Sequence, residues 1–593
     1  MDGWGIRPAR YNRGLHPLPQ IIVLDAGGQY CHLIARKARD LGVYAEIRAS
    51  DTPAAEMEFA RGIIISGGPN SVYDAGSPTV DPAIFSSGPA VLGICYGQQL
   101  MAQLLGGEVR RGEKGEYGLA ALELDDAHDP MFEGLAGRQQ VWMSHRDTVV
   151  GLPAGFAAAG RTETCPIAAM AAPARRLYSV QFHPEVVHTE RGREYLSHFL
   201  FRVCGCHKDW DPRHRAPLLE QEIRECVGAR SVFFFVSGGV DSSVAFALCR
   251  RALGDSRVRG VYVDTGLMRE GETDFIRRLG GIAVEHAESQ FMGALAGVID
   301  PEQKRHIIGE EFVRVQERII EERSLEDERW ILGQGTIYPD TIESGGTANA
   351  AVIKTHHNRV AGIQKLIAGG RIVEPLKSFY KDEVREVGRE LELPAELLER
   401  HPFPGPGLAI RRLCAEIDAP VRATADGYMI PVNSVGVQGD SRSYAPVLAI
   451  DQPDHERATA LINRLPGVNR VIACVASRAP VSEMQVSACS LTIESVARLR
   501  RADAAVRRLS HESGFDHQVW QFPVILIPLG TGAAAPDSVV LRPVDSVDGM
   551  TARSVEIPPA LLQEMCAELL EQEGIAGVFV DLTHKPPGTI EWE

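Results

Sequence analysis

The sequence predicts an α/β protein. It reads as two successive open parallel-sheet α/β domains followed by a duplicated small α+β C-terminal unit. Three observations carry this. Short, wholly apolar runs alternate with helical patterns through the first two thirds of the chain, as expected of strands buried on both faces. Each run is followed by a Gly-rich turn, giving the strand–turn–helix order of α/β folds. Beyond residue 415 the pattern changes to two similar segments, each reading strand, strand, helix, strand.

In chain order, residues 1–18 are Arg-, Gly- and Pro-rich with no apolar core, and read as a flexible tail rather than a secretory signal. Residues 19–207 hold the first series: Ile21-Ile22-Val23-Leu24, Ile63-Ile64-Ile65 and Val91-Leu92-Gly93-Ile94 are the strands, and Ser66-Gly67-Gly68-Pro69 and Cys95-Tyr96-Gly97 are among the turns. A polar stretch from Cys204 to Pro217 reads as a linker. Residues 208–415 hold the second series, opening on Val232-Phe233-Phe234-Phe235-Val236 and continuing with Val261-Tyr262-Val263 and Trp330-Ile331-Leu332. Residues 416–593 hold the two α+β units, at about 428–480 and 515–593. Packed on each other they would form an internal pseudo-dimer, so a monomer is plausible and a homodimer possible.

Composition bounds the function. A net charge of −16 disfavours a general nucleic-acid binder, which needs clustered cations. No run of eighteen apolar residues suggests a membrane span. Eleven scattered Cys fit reduced thiols in the cytoplasm better than a disulfide framework. Cys204, Cys206 and His207 lack a second ligand pair at zinc spacing and read as linker thiols.

Gly93-Ile94-Cys95-Tyr96-Gly97 places a Cys on a tight strand-to-helix turn, a nucleophile elbow with a thiol. The helix N-terminus favours the thiolate. His183-Pro184-Glu185 follows the apolar run ending at Phe182. Pro184 biases His183 to extended backbone, and residues two apart then face the same way, so Glu185 can orient the imidazole. Cys, His and carboxylate together make an activated nucleophile for acyl transfer.

These motifs resemble the class I glutamine amidotransferases over about residues 20–205. The resemblance implies that Cys95 attacks the carboxamide of glutamine to give a glutamyl thioester and ammonia, with His183 as general base then acid and Glu185 as its orienter. It implies the N–H groups of Gly68 and Tyr96 as oxyanion donors, and Gln99 and Asp147 as glutamine contacts. Arg146 stands where the resemblance would put Gly.

Ser237-Gly238-Gly239-Val240-Asp241-Ser242-Ser243 follows an apolar strand and precedes a helix. Small residues let backbone N–H groups close around an anion at a helix N-terminus, and Asp241 offers a carboxylate for Mg²⁺. The chain has no Walker loop. The heptapeptide is similar to the PP-loop of ATP pyrophosphatases. That implies ATP bound at residues 237–243 with Mg²⁺ at Asp241, cleavage between the α and β phosphates, and no tightly bound organic cofactor. The loop alone leaves several acceptors open: a nucleotide, nicotinate adenine dinucleotide, citrulline, aspartate or a tRNA base.

Gln334 to Asp340, Ile353 to Asn358, Arg400 to Leu408 and Lys585 to Glu593 resemble the glutamine-hydrolysing GMP synthetases, in order and over nearly the whole chain. The resemblance implies amination of XMP to GMP through an adenylyl intermediate, with XMP, ATP and glutamine as substrates. It places Lys354 in a lid over the nucleotides and Lys381 at phosphate, and assigns Lys585, Glu591, Asp440 and Gln521 to XMP. The long C-terminal region looks closer to the eukaryotic-type members. The alternatives are another glutamine-dependent PP-loop ligase, such as an NAD synthetase, or a nucleotide sensor without turnover.

Overall fold

A computed structural model describes residues 18–593, apart from 29, 126–128, 136, 187, 344–360, 439–440, 466 and 547–551. The tail of residues 1–17, Lys354 and Asp440 therefore lie outside the described residues. The chain divides into two compact units. Among the described residues, 18–218 with 337–343 belong to the first, and 219–336 with 361–593 to the second.

The first unit is built on a nine-stranded sheet. Its strands are β1 Ile21–Asp25, β2 Ala45–Ala49, β3 Gly62–Ile65, β4 Ala90–Ile94, β5 Glu108–Leu124, β6 Gly137–Gly151, β7 Ala157–Arg161, β8 Ala169–Ala172 and β9 Leu177–Val180. The order is β2-β1-β3-β4-β9-β8-β7-β5-β6. The five strands from β2 to β9 run parallel. The four beyond them pair antiparallel, so this sheet is mixed rather than wholly parallel. The connections explain it. Only a short turn at 173–176 separates β8 from β9, too little chain for the crossover that parallel pairing needs. The polar stretch after Cys204 is less a linker than its composition suggests. Cys204, Cys206 and Trp210 are buried, and the Trp210 ring stacks on Tyr44 at 4.7 Å.

The second unit opens with a wholly parallel sheet of β10 Ser231–Phe235, β11 Val258–Asp264, β12 Ile282–His286, β13 Trp330–Gly333 and β14 Ile372–Val373. Its order, β12-β11-β10-β13-β14, reverses direction between β10 and β13. Ligands of open α/β sheets bind at such a reversal, beyond the carboxyl ends of the strands. The turn after β10 and the first residues of the helix it enters carry Ser237 to Ser243, and the turn after β13 carries Gln334 and Gly335.

The two C-terminal segments join in one seven-stranded sheet. Tyr428–Gln438 pairs antiparallel with Ser441–Ile450, which pairs parallel with Arg470–Ser477. Val524–Ile527 pairs antiparallel with Asp537–Leu541, which pairs parallel with Ile575–Asp581. The last strand of each segment meets the other antiparallel at the centre, Ala473 opposite Val580. The helices His455–Arg464 and Pro559–Glu571 hold equivalent places in the two segments. The arrangement is a pseudo-two-fold within one chain. Among the described residues, no helix is long and apolar enough to cross a membrane.

Candidate active site

Cys95 caps the N-terminus of helix Tyr96–Leu104 with φ 53° and ψ −107°. A non-Gly residue pays for that conformation, and such strain persists only where neighbours fix it. The flanking glycines show how. A Cβ on Gly93 would lie 2.5 Å from the Gly97 carbonyl oxygen, and one on Gly97 would lie 2.4 Å from the Ile65 carbonyl oxygen. The elbow thus closes against β3 with no room for a side chain. Gly97→Ala is expected to destabilise the first unit by ~1–3 kcal/mol, since backbone cannot yield as a side chain can, and to depress glutamine hydrolysis. Thermal unfolding and a glutaminase assay on the same preparation check both.

His183 and Glu185 are buried beside the elbow. His183 Nδ1 and Glu185 Oε1 are 2.7 Å apart, and the Cys95 thiol is hydrogen-bonded to the imidazole. Thr189 Oγ1 donates to the His183 carbonyl at 2.6 Å, fixing the backbone, and the Tyr30 ring meets the imidazole edge-on at 5.1 Å. Burial alone would push His183 toward neutral imidazole. The charges of Glu185 and Cys95 and the hydrogen bonds to both outweigh it and hold the imidazolium well above its ordinary range. Glu185→Gln is therefore expected to lower the His183 pKa, read by NMR on histidine-labelled protein. An unchanged value would mean that Glu185 does not set the charge of the ring.

Gly68 lies against Tyr96, since a Cβ there would sit 3.4 Å from the Tyr96 ring and 2.4 Å from the Ala26 carbonyl oxygen. Tyr96 opens its helix, so its N–H has no carbonyl within the helix to bond. Gly68 is thus in contact with Tyr96, the residue that directly follows Cys95. Gln99 is buried and donates from Nε2 to the Asp147 carbonyl at 2.8 Å and to Gln181 Oε1 at 3.2 Å. The Asp147 carboxylate accepts from Ser71 Oγ at 2.5 Å. Arg146 is exposed, lies within β6 and has no left-handed φ, so nothing in the local backbone demands Gly there.

Sequence reasoning missed several neighbours. Gly67 is one: a Cβ there would lie 3.0 Å from His183 Cε1 and 3.5 Å from Cys95 Cβ. Ser144, whose carbonyl lies 3.7 Å from Cys95 Sγ, is another. Gln181 could have been found, because it stands two residues before His183 in extended chain and so shares its face. His145 could not. It is held by Glu116 at 3.1 Å, a residue distant in sequence.

In the second unit, Ser237 to Gly239 lead from β10 into helix Val240–Leu253. The Ser237 and Ser242 hydroxyls are 3.0 Å apart, and the Gly239 N–H donates to Ser237 Oγ at 3.3 Å. Gly238 takes φ 82°, open to glycine at no steric cost. Its carbonyl accepts from Arg400 Nη1 at 2.9 Å, and Arg400 also pairs with buried Glu272. Gly335 approaches the loop so closely that a Cβ would lie 2.7 Å from the Ser242 backbone. Val240 and Ser243 are buried, while Asp241 and Ser242 are half-buried. Carboxylate and hydroxyl oxygens at a helix N-terminus are the hard donors that Mg²⁺ takes. Lys381 opens the neighbouring helix Lys381–Glu390, and a Cβ on Gly388 of that helix would lie 3.2 Å from Val244.

The terminal motif is anchored by buried charge. Glu591 takes Arg411 in a two-point pair at 2.7 and 2.9 Å. Phe403, from the Pro-Gly turn, carries Arg269 and Arg411 over its ring at 4.4 and 5.1 Å. Gln521 donates to the Pro402 carbonyl at 3.3 Å in the same turn. Lys585 is half-buried and its backbone pairs with that of Ala552.

Comparison with known proteins follows the same division. Residues 22–203 match the family "Glutamine amidotransferase class-I", 213–279 match "NAD synthase" and 509–592 match "GMP synthase C terminal domain". The GMP synthase [glutamine-hydrolyzing] of Symbiobacterium thermophilum is 41% identical, over 97% of this chain and 99% of its own. The chain belongs to the glutamine-hydrolysing GMP synthase family. The Streptomyces coelicolor relative of the same name is 40% identical over 97% of this chain and 98% of its own. Among solved structures, a glutamine amidotransferase from Thermotoga maritima is 18% identical, covering 32% of this chain and all of that one, with a TM-score of 0.27.

Proposed function

We propose that the chain aminates XMP to GMP at the expense of ATP, with glutamine as nitrogen donor. The observation that carries this is a buried Cys95–His183–Glu185 contact chain in a protein related over its whole length to GMP synthases. In this reading Cys95 attacks the carboxamide carbon of glutamine as a thiolate. The Gly68 and Tyr96 N–H groups take the developing oxyanion. His183, having taken the Cys95 proton as general base, gives it as acid to the leaving nitrogen and then draws one from the water that cleaves the thioester, while Glu185 holds the ring. Gln99 and Asp147 hold the substrate. In the second unit, residues 237–243 cradle ATP at the helix N-terminus, and Asp241 with the adjacent hydroxyls would hold the Mg²⁺ that neutralises its phosphates. The C2 oxygen of XMP displaces pyrophosphate from the α-phosphate, and ammonia then displaces AMP at C2. Lys354 and Lys381 are assigned to phosphate, and Lys585, Glu591, Gln521 and Asp440 to XMP. We assign the chain to the cytoplasm, as a monomer whose C-terminal pseudo-two-fold stands in for a partner subunit, with a homodimer as the alternative.

The test is AMP and GMP formation with ATP, Mg²⁺, glutamine and XMP, repeated without XMP and with nicotinate adenine dinucleotide in its place. Joint appearance of AMP and GMP only with XMP is the expected result. AMP only with the other acceptor would overturn the assignment of the C-terminal region. Glutamine hydrolysis is also expected to accelerate when XMP and ATP are both present, because ammonia released without an acceptor is lost. Equal rates with and without them would refute that coupling.

A further inference from the structure

Of the eleven cysteines, seven are buried, among them the neighbouring pair Cys204 and Cys206. Cys226 is exposed, with its Sγ 3.8 Å from the Ile372 carbonyl oxygen and burial of its thiol by neighbours as the main influence raising its pKa. Cys414, Cys474 and Cys489 are half-buried, and two of these, 75 positions apart, are brought together. The backbones of Ala415 and Cys489 form an antiparallel bridge, with Cys489 N–H donating to the Ala415 carbonyl at 2.8 Å and Ala415 N–H donating back at 3.3 Å. Cys414 adjoins that bridge, close enough for the two thiols to shift one another's ionisation, while its own Sγ lies 3.8 Å from the Arg412 carbonyl oxygen. Arg412 Nη2 lies 3.3 Å from the same sulfur. Arg412 is itself fixed by Asp537 at 2.9 Å, so the cation is held in place.

We propose that Cys414 and Cys489 form an oxidisable dithiol that reacts with peroxides and closes to an intramolecular disulfide.

The roles differ. Cys489 is the attacking sulfur. The neighbouring Cys414 thiol and the Arg412 charge outweigh its burial and bring its thiol down to about 6, while Cys414 is pushed up by Cys489 and by burial. A thiol whose pKa lies near ambient pH combines thiolate population with nucleophilicity. In the first step the Cys489 thiolate attacks one peroxide oxygen. An S–O bond forms, the O–O bond breaks, and hydroxide leaves, giving the sulfenic acid. In the second step the Cys414 sulfur attacks the sulfenic sulfur, the S–O bond breaks, and the Cys414 proton leaves with the hydroxyl as water. Two thiols are oxidised by two electrons, and one peroxide is reduced to two waters. Cys414 is the chain neighbour of Ala415, the bridge partner of Cys489, which keeps its Cα near the reach of a disulfide to Cys489. The buried Cys204–Cys206 pair has no such approach for an oxidant. This inference is independent of the proposed reaction.

The experiment uses the reduced full-length chain, challenged with equimolar hydrogen peroxide, alkylated and mapped by peptide mass spectrometry. The expected product is a cross-linked Cys414–Cys489 peptide pair, lighter than the two thiols by two hydrogens. Without oxidant at pH 7, iodoacetamide is expected to label Cys489 ~10-fold faster than the more exposed Cys226, because the thiolate is the nucleophile. In Cys414→Ser the sulfenic acid at Cys489 should persist and be trapped by dimedone. Cys489 labelling no faster than Cys226, or oxidation confined to Cys226 or Cys95 while Cys414 and Cys489 stay thiols, would overturn the proposal.

Discussion

Cys95→Ala is expected to abolish glutamine-dependent GMP formation while leaving ammonium-dependent formation at the wild-type rate. The thiol is the only group at the elbow that can form the glutamyl thioester, and removing a covalent nucleophile costs ~10³-fold or more in kcat. The substitution is also mild structurally. Alanine is smaller than Cys at a site whose strain the flanking glycines impose, and the thiol makes only a long contact of 3.7 Å to the Ser144 carbonyl besides its bond to His183. GMP formation with glutamine and with ammonium chloride, measured side by side, separates the two chemistries. Loss of both would place Cys95 in the synthetic step as well. Retention of both would remove it from catalysis.

Asp581→Ala is expected to cost the second unit about 3–5 kcal/mol, the range found when one partner of a buried ion pair is removed. Its carboxylate is fully buried between two arginines that are buried as well. Arg542 Nη1 stands at 2.6 Å and Arg470 Nη1 at 2.9 Å from Oδ2, and the Trp592 indole donates to the same oxygen at 2.9 Å. Burial pushes the Asp581 carboxyl up, but the two guanidiniums outweigh it and hold it below the usual range. Burial and repulsion by Arg542 bring Arg470 down to about 9, so Arg470 and Asp581 both carry charge at neutral pH. A carboxyl with a depressed folded pKa contributes stability that is present above its unfolded pKa and lost as pH falls through the folded value. Wild type should therefore lose stability in acid more steeply than the variant. Urea unfolding followed by the fluorescence of buried Trp592 checks both. As a control, Asp255→Ala removes a carboxylate that meets Arg250 in solvent and should leave the midpoint unchanged.

The same variant bears on function. Arg470 donates to the Thr589 and Glu591 carbonyls, at 2.7 and 2.9 Å, and Arg542 donates to the Ile590 carbonyl at 3.0 Å. The buried triad therefore holds the segment that carries Lys585 and Glu591. At temperatures where the variant is still folded, KM for XMP should rise more than kcat falls.

Much of this protein was legible from its residues in order. Buried parallel strands announce themselves as unbroken apolar runs, so β1, β3, β4, β10, β11 and β13 could be read directly. The elbow and the Ser237–Ser243 loop were legible because their chemistry needs glycines and small residues at fixed local offsets, and His183 and Glu185 because extended chain repeats every two residues. The repeated strand–strand–helix–strand order of the C-terminal segments was visible as well. Tertiary structure decided what depends on partners far apart in sequence. The antiparallel half of the first sheet turns on which strands find each other, and Trp210 of the polar stretch is buried where its ring stacks on Tyr44. Glu591 meets Arg411, Gly238 meets Arg400, and Cys414 meets Cys489 through contacts that no local pattern encodes. Local sequence sets backbone preference and periodicity. Which charges and thiols are buried together is set by packing, and packing joins residues regardless of their separation along the chain.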